Sequence, residues 1–249
     1  MPKIIVSVTS FGEKMNNLLP KVLFSLREQT FQDFKVCLTL NKEDYDNLTN
    51  VYLQTLIEEK EIDLIIADKH YKPHLKYFYT MQKYKDLPIV TIDDDIHLPK
   101  TAFSELYNTW LKNPDCVCGR QVFEMRGLGY GVTGSRTIVK DEKPSHRFCA
   151  EGFASILYPP NCFGEFYNDN EELKKIEELL CDDDIYLKGL EIRKGIKVKN
   201  TQPKTQMFIS VLDSNNEFEK FSLHKQFNNE KQRAANFGKI ANELHSIGY

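Results

Sequence analysis

The sequence has little that would mark it as secreted, membrane-spanning or nucleic-acid-binding. Its 249 residues carry 33 basic and 36 acidic side chains, a net charge of −3, which argues against nucleic-acid binding by overall charge. No apolar run approaches the roughly 18 residues a membrane-spanning helix needs, so membrane contact is expected to be peripheral at most. The opening Met1-Pro2-Lys3-Ile4-Ile5-Val6-Ser7-Val8 runs straight into a strand pattern and lacks the apolar stretch and small-residue cleavage site of a signal peptide. The expected compartment is the cytoplasm. Cysteines are six and scattered, and Cys116-Val117-Cys118 lacks the two-residue spacer of common zinc sites, so reduced, buried thiols are expected rather than disulfides or a zinc centre. There is no internal repeat, low-complexity segment or interdomain linker. One domain spanning 1–249 is expected, with 41% hydrophobic residues to build its core.

What is present begins with alternation. Strand patterns at Ile4–Thr9, Phe34–Leu40, Ile62–Ala67 and Leu87–Ile92 are separated by helical patterns at Asn16–Gln29, Tyr45–Lys60 and Pro73–Tyr84. Strand and helix at this spacing predict an α/β fold, a Rossmann-like and mostly parallel sheet with helices on both faces. Beyond a helix at Lys100–Lys112 the pattern changes. Strands are expected at Cys116–Phe123, Phe153–Tyr158 and Ile196–Val198, and helices at Asn170–Leu180, Asp182–Lys194 and Asn229–His245.

The fourth strand pattern ends in Asp93-Asp94-Asp95. Three adjacent carboxylates repel one another unless a cation lies among them, and hard oxygens at 1,3 spacing suit Mg²⁺ or Mn²⁺. The carboxyl end of a strand is also where open α/β sheets bind ligands. The competing reading is a polar turn whose acids cap the next helix, but caps use one acid and Leu98-Pro99 intervenes. A second triplet, Asp182-Asp183-Asp184, stands at a predicted helix start. Asp182 as N-cap, with two acids favoured by the helix dipole, explains it without function. As the second triplet in one chain, it is also a candidate general base. His97 or His224 could be a further metal ligand, and Lys76, near Lys72 and His74, could face a diphosphate. Gly129 to Gly134 spells GxGxxG, but mid-chain, with no strand–helix context for a dinucleotide site. It reads as a loop, beside Arg120, Arg126 and Arg136.

Taken together, these segments resemble nucleotide-sugar glycosyltransferases of the GT-A fold, and more closely the small bacterial enzymes of surface-polysaccharide synthesis, capsule or lipopolysaccharide. The resemblance is carried by Val8-Thr9-Ser10-Phe11-Gly12-Glu13-Lys14, by Asp68 with Pro73-His74-Leu75-Lys76-Tyr77, and by Val90 to Ile96. Glu151-Gly152-Phe153-Ala154-Ser155-Ile156-Leu157-Tyr158-Pro159-Pro160 and Asp183 to Lys188 complete it. It implies a nucleoside pocket at Thr9, Ser10 and Phe11, Asp68 near the base, and Lys76 near ribose or diphosphate. Asp95 would be the metal ligand, with Asp93 and Asp94 on ribose, donor sugar or water-bridged metal. Asp184 would be the base with Asp183 its rival, and His224 would complete the metal shell. The expected activity is inverting, Mn²⁺- or Mg²⁺-dependent sugar transfer from a UDP donor to a hydroxyl of a glycan or lipid-linked glycan. Residues 1–113 would hold the donor and 114–249 the acceptor. The family often has a second glycine after Gly152, where this chain has Ala154 and Ser155. Two rivals are a haloacid-dehalogenase-like phosphohydrolase with Asp93 as nucleophile, and a non-catalytic carbohydrate-binding protein on the same fold.

Overall fold

A computed structural model describes residues 1–125, 143–202, 209–210, 230–246 and 248. Strand β1 (Ile4–Thr9) is almost entirely buried, as a central parallel strand must be. It leads into helices α1 (Gly12–Asn17) and α2 (Leu19–Ser25). They replace the single helix expected over Asn16–Gln29, because Pro20 has no N–H to continue a helical ladder and instead opens the second helix. After β2 (Phe34–Asn41), α3 (Lys42–Asp46) and α4 (Val51–Glu58) likewise divide one expected helix. Each opens on a side-chain cap, Asn41 accepting from the Asp44 N–H and Asn50 from the Leu53 N–H, and the Asn50 cap restarts the helix after the break.

Strand β3 (Ile62–Ala67) is followed by a 3₁₀ turn at Lys72–Lys76 and helix α5 (Phe78–Lys83). Then come β4 (Ile89–Thr91), β5 (Ile96–His97), α6 (Ala102–Lys112), β6 (Cys116–Gly119), β7 (Val122–Glu124), β8 (Phe148–Ala150) and β9 (Ile156–Tyr158). The chain continues through α7 (Asn170–Glu178), α8 (Asp183–Arg193), β10 (Lys197–Asn200), β11 (Ile209–Ser210) and α9 (Glu230–Ser246).

Among the described residues, seven strands form one sheet in the order β10-β6-β9-β4-β1-β2-β3. Only β9 runs antiparallel to its neighbours β4 and β6; the other pairings are parallel. The strand expected over Cys116–Phe123 is in fact two. β6 stays in the main sheet, whereas β7 turns away to pair with β8. One core lies between the sheet and α1, α2, α4 and α6, with Val6, Leu23, Leu38, Leu53, Val90 and Phe103 at its centre. A second, rich in aromatics, packs Tyr77, Phe78, Tyr158, Phe166 and Tyr186 on the opposite side. Helices thus cover both faces, and the parallel strands end along one rim. All six cysteines are free; Cys37, Cys118 and Cys149 are buried and the others half-buried. No helix among the described residues is long and apolar enough to cross a membrane.

Candidate active site

The rim begins where β1 runs out of apolar residues. Thr9 Oγ1 donates to the Thr39 carbonyl at 2.8 Å, tying the ends of β1 and β2 together. Gly12 turns the chain with φ +53°, a left-handed conformation that glycine adopts without cost. Its N–H donates to Asp44 Oδ1 at 2.8 Å. Asn41, Asp44 and His70 sit at the same rim, with Asn41 Nδ2 and His70 Nδ1 2.5 Å apart. Asp68 follows β3 there and is exposed. Ser10 is buried and does not simply line a pocket: its hydroxyl donates to Asp94.

The first acidic triplet follows β4, where Val90 and Ile92 fill the core; Asp93 and Asp95 then emerge half-exposed while Asp94 stays buried. Each acid has its own partner. Asp93 Oδ1 accepts from Lys76 Nζ at 2.7 Å, and Asp95 Oδ2 accepts from Lys14 Nζ at 2.6 Å. Asp94 is held by the Ser10 hydroxyl and by Lys14 Nζ at 3.6 Å. Burial, together with Asp95 and Asp93, pushes the Asp94 carboxyl up to about 6 against the pull of Lys14 and Ser10. Lys14, lowered by its own burial, is raised on balance by Asp94 and Asp95.

The second triplet meets the first through Lys76. Its ammonium lies 2.7 Å from Asp93 Oδ1 and 3.0 Å from Asp183 Oδ2, bridging acids ninety residues apart in sequence. Burial alone would depress the Lys76 ammonium, yet Asp183, Asp93 and Asp184 hold it well above the usual lysine range. Asp184 Oδ1 accepts the Gly152 N–H at 3.1 Å. A Cβ on Gly152 would lie 2.7 Å from Asp184 Oδ1 and 3.2 Å from Lys76 Nζ, so glycine is what admits both groups. Burial would raise Asp183, but Lys76 and His74 outweigh it and hold its carboxyl below the usual range. For Asp184, burial and the Asp183 charge push the carboxyl up to about 8. Two adjacent acids with opposed shifts commonly divide charge-balancing from proton transfer.

Asp182 is not the helix cap that its position suggests, for its side chain makes no capping bond. It turns instead to α9, accepting from Asn236 Nδ2 at 3.1 Å with Arg233 Nη1 at 3.6 Å. His74 belongs to the core rather than to a ligand surface. It is fully buried, with Nδ1 2.6 Å from the Tyr77 hydroxyl and Nε2 3.0 Å from the Leu179 carbonyl. His97 lies in the β5 pairing with Ile209. His224, the Gly129–Gly134 segment, Arg126 and Arg136 lie outside the described residues. Arg120 is buried, its Nε 3.1 Å from Glu105 Oε2, rather than facing the rim.

Ser155, in the segment where the resembling family often has glycine, has φ +76° and ψ 138°. That backbone is strained for any residue with a Cβ, and its fully buried hydroxyl has no hydrogen-bond partner among the described residues. It directly precedes β9, whose Ile156 pairs with both Thr91 and Gly119, so the strain lies beside the strand that delivers the acids.

A divalent metal would fit here with two protein carboxylates. Asp93 and Asp95 present hard oxygens with side chains 28% and 19% exposed, and a cation, the Lys14 ammonium, already lies against Asp95. Among the described residues no three acid, histidine or cysteine side chains converge as a ligand group. The remaining ligands would therefore be diphosphate and water, the usual arrangement for Mg²⁺ at phosphate sites.

The same arrangement of sheet and helices is found in solved enzymes. No protein-family model and no curated relative matches the chain. The whole chain superposes on 69% of the mannosyltransferase PcManGT from Pyrobaculum calidifontis, determined with GDP-Man and Mn²⁺, at TM-score 0.54 and 14% identity. The fold is of the GT-A glycosyltransferase type. TarS from S. aureus superposes on 97% of this GT-A chain at TM-score 0.50 and 14% identity, but the match spans only 42% of TarS. Its 1–349 fragment in complex with UDP matches over 99% of this chain and 72% of the fragment, at the same score and identity. Sequence reading found both acidic triplets and Lys76 but assigned nothing to Lys14, Asn41, Asp44 or His70. Their sequence signal is their place at or just after the ends of strands β1, β2 and β3, with Lys14 closing the segment 8–14.

Proposed function

We propose that the chain is a metal-dependent, inverting glycosyltransferase acting on a nucleoside diphosphate sugar. The observation that carries this reading is the Lys76 bridge, which joins the acids after β4 to the acids opening α8 in one cluster. The GT-A fold supports it, as do the nucleotide ligands of the two neighbours, GDP-Man for one and UDP for the other. Thr9, Ser10, Phe11 and Asp68 would border the nucleoside, and Asp93 and Asp95 would hold Mn²⁺ or Mg²⁺. Residues 1–113 thus carry donor binding, and 114–249 bring the base and the acceptor side.

In the reaction an acceptor hydroxyl oxygen bonds to the anomeric carbon as the bond from that carbon to the diphosphate oxygen breaks. The hydroxyl proton passes to Asp184, whose raised affinity for a proton suits a general base working near neutral pH. Asp183 stays ionised against Lys76 and keeps that ammonium beside the site. Negative charge developing on the leaving diphosphate is met by Lys76, and a divalent metal held by Asp93 and Asp95 would supply further positive charge there. Attack from the face opposite the leaving group inverts the anomeric centre. Sequence resemblance supports a glycan or lipid-linked glycan acceptor of surface-polysaccharide synthesis, a cytoplasmic location and peripheral contact with the inner membrane.

A melting-temperature screen of UDP, GDP, their sugars and other nucleoside diphosphates, with and without Mn²⁺, tests the donor class. Ligands that bind the native state raise the melting temperature by mass action. A Mn²⁺-dependent rise with one nucleotide, lost in Asp95→Ala, is expected; no rise with any nucleotide would refute the reading. The phosphohydrolase alternative predicts instead phosphate release from simple esters. A non-catalytic binder predicts a melting shift without donor cleavage.

A further inference from the structure

Three carboxylates in a row would destabilise an isolated strand end, and the chain answers them with two lysines that behave differently. Lys76 is fixed on both sides, bonded to Asp93 from one triplet and Asp183 from the other. Among the described residues Lys14 has its ion pairs within the first triplet, at 2.6 Å from Asp95 Oδ2 and 3.6 Å from Asp94 Oδ1. Its side chain is only 8% exposed, although it arises from a short helix beside the nucleoside rim. Its Nζ also stands 6.0 Å from the centre of the Phe11 ring. An ammonium is a compact charge on a flexible four-carbon stem, able to leave one set of oxygens for another.

We propose that Lys14 is the resident counter-ion of the acidic triplet, which a divalent cation must displace from Asp95 when it binds. This rests on the donor-site reading above and adds a consequence to it. Mn²⁺ alone meets carboxylates already neutralised, so it binds weakly. A nucleoside diphosphate brings oxygens that ligate the metal and can receive the displaced ammonium. Metal and nucleotide therefore strengthen one another's binding, by the same factor in both directions. Lys14 acts as a positioning residue that couples the two, holding the triplet together when neither is bound.

The test is Mn²⁺ binding, read from the electron paramagnetic resonance signal of free Mn²⁺, to wild type, Lys14→Gln and Lys14→Arg, each with and without UDP or GDP. Without nucleotide, Lys14→Gln is expected to bind Mn²⁺ at least about tenfold more tightly than wild type, because a like charge has been removed from the site. Lys14→Arg should stay weak, and the gain on adding nucleotide should shrink in Lys14→Gln. Circular dichroism verifies folding. Should Lys14→Gln not fold, Lys14→Met, apolar and similar in length, is read by the same criterion. Wild type that binds Mn²⁺ with nucleotide, alongside a Gln or Met variant no tighter without it, would overturn the role of Lys14 and leave the donor site standing. Failure of every protein to bind Mn²⁺ with either nucleotide would overturn both.

Discussion

Gly152 shows how one missing side chain can organise a site. Its N–H is a hydrogen-bond donor to Asp184, and the space where its Cβ would be is shared by Asp184 Oδ1 and Lys76 Nζ. In Gly152→Ala the methyl would push the carboxylate or the ammonium aside. Donor cleavage is expected to fall by about a hundredfold or more, since small displacements of a catalytic group carry penalties of that size, while the melting temperature changes little. Steady-state kinetics beside a thermal melt checks this; unchanged turnover would mean that Asp184 does not act where it now sits. At this scale the sequence was informative about acids and silent about their partners. Asp93, Asp95, Asp183 and Asp184 stand out as runs. Lys14 does not, because a lysine in a short helix reads as a solvated side chain until the fold brings it to an acid 81 residues away.

At the level of elements, the parallel strands β1 to β4 were legible, because buried parallel strands are continuous apolar runs. The interruptions of the helices were less so. Periodicity ran through Leu18 and Pro20 and through Asn47 to Asn50, where caps and a proline decide the outcome locally. The reversal of β9 was not legible at all, since strand direction is settled by pairing with β4 and β6 and leaves no mark on three residues. Helix α9 shows what such long-range contacts do for the site. It packs Phe237, Ile240, Ala241 and Leu244 against a cluster that includes Ile185 and Ile192 of α8, and a Cβ on Gly189 would lie 2.6 Å from Ile240 Cδ1. Arg193 of α8 also pairs with Glu243 at 2.8 Å. The same helix supplies Asn236 and Arg233 to Asp182, two residues before the proposed base. Phe237→Ala is expected to cost about 3 kcal/mol or more, as for other fully buried phenylalanines, measured by denaturant unfolding. A loss below about 1 kcal/mol, far under the usual value for such a truncation, would show that α9 is not docked on α8.

Over the whole molecule, one sheet collects chemistry from both halves of the chain. The carboxyl ends of β1, β2, β3 and β4 supply the rim, and α8 from the second half brings Asp183 and Asp184 to it. Lys76 makes the two contributions a single site. Such an arrangement has a specific consequence for turnover. Asp184 must be ionised to accept a proton, and its carboxyl is pushed up to about 8 by burial and by Asp183. Its reactive fraction therefore rises as pH increases and levels off above that value. The most direct measurement is release of nucleoside diphosphate from nucleotide sugars in the presence of Mn²⁺, followed across pH for wild type, Asp184→Asn and Asp183→Asn. Wild type is predicted to cleave one donor with a rate rising to a plateau above about pH 8, and Asp184→Asn to lose that cleavage while still binding the nucleotide. Cleavage by Asp184→Asn at the wild-type rate, or no cleavage of any nucleotide sugar by wild type, would contradict the account.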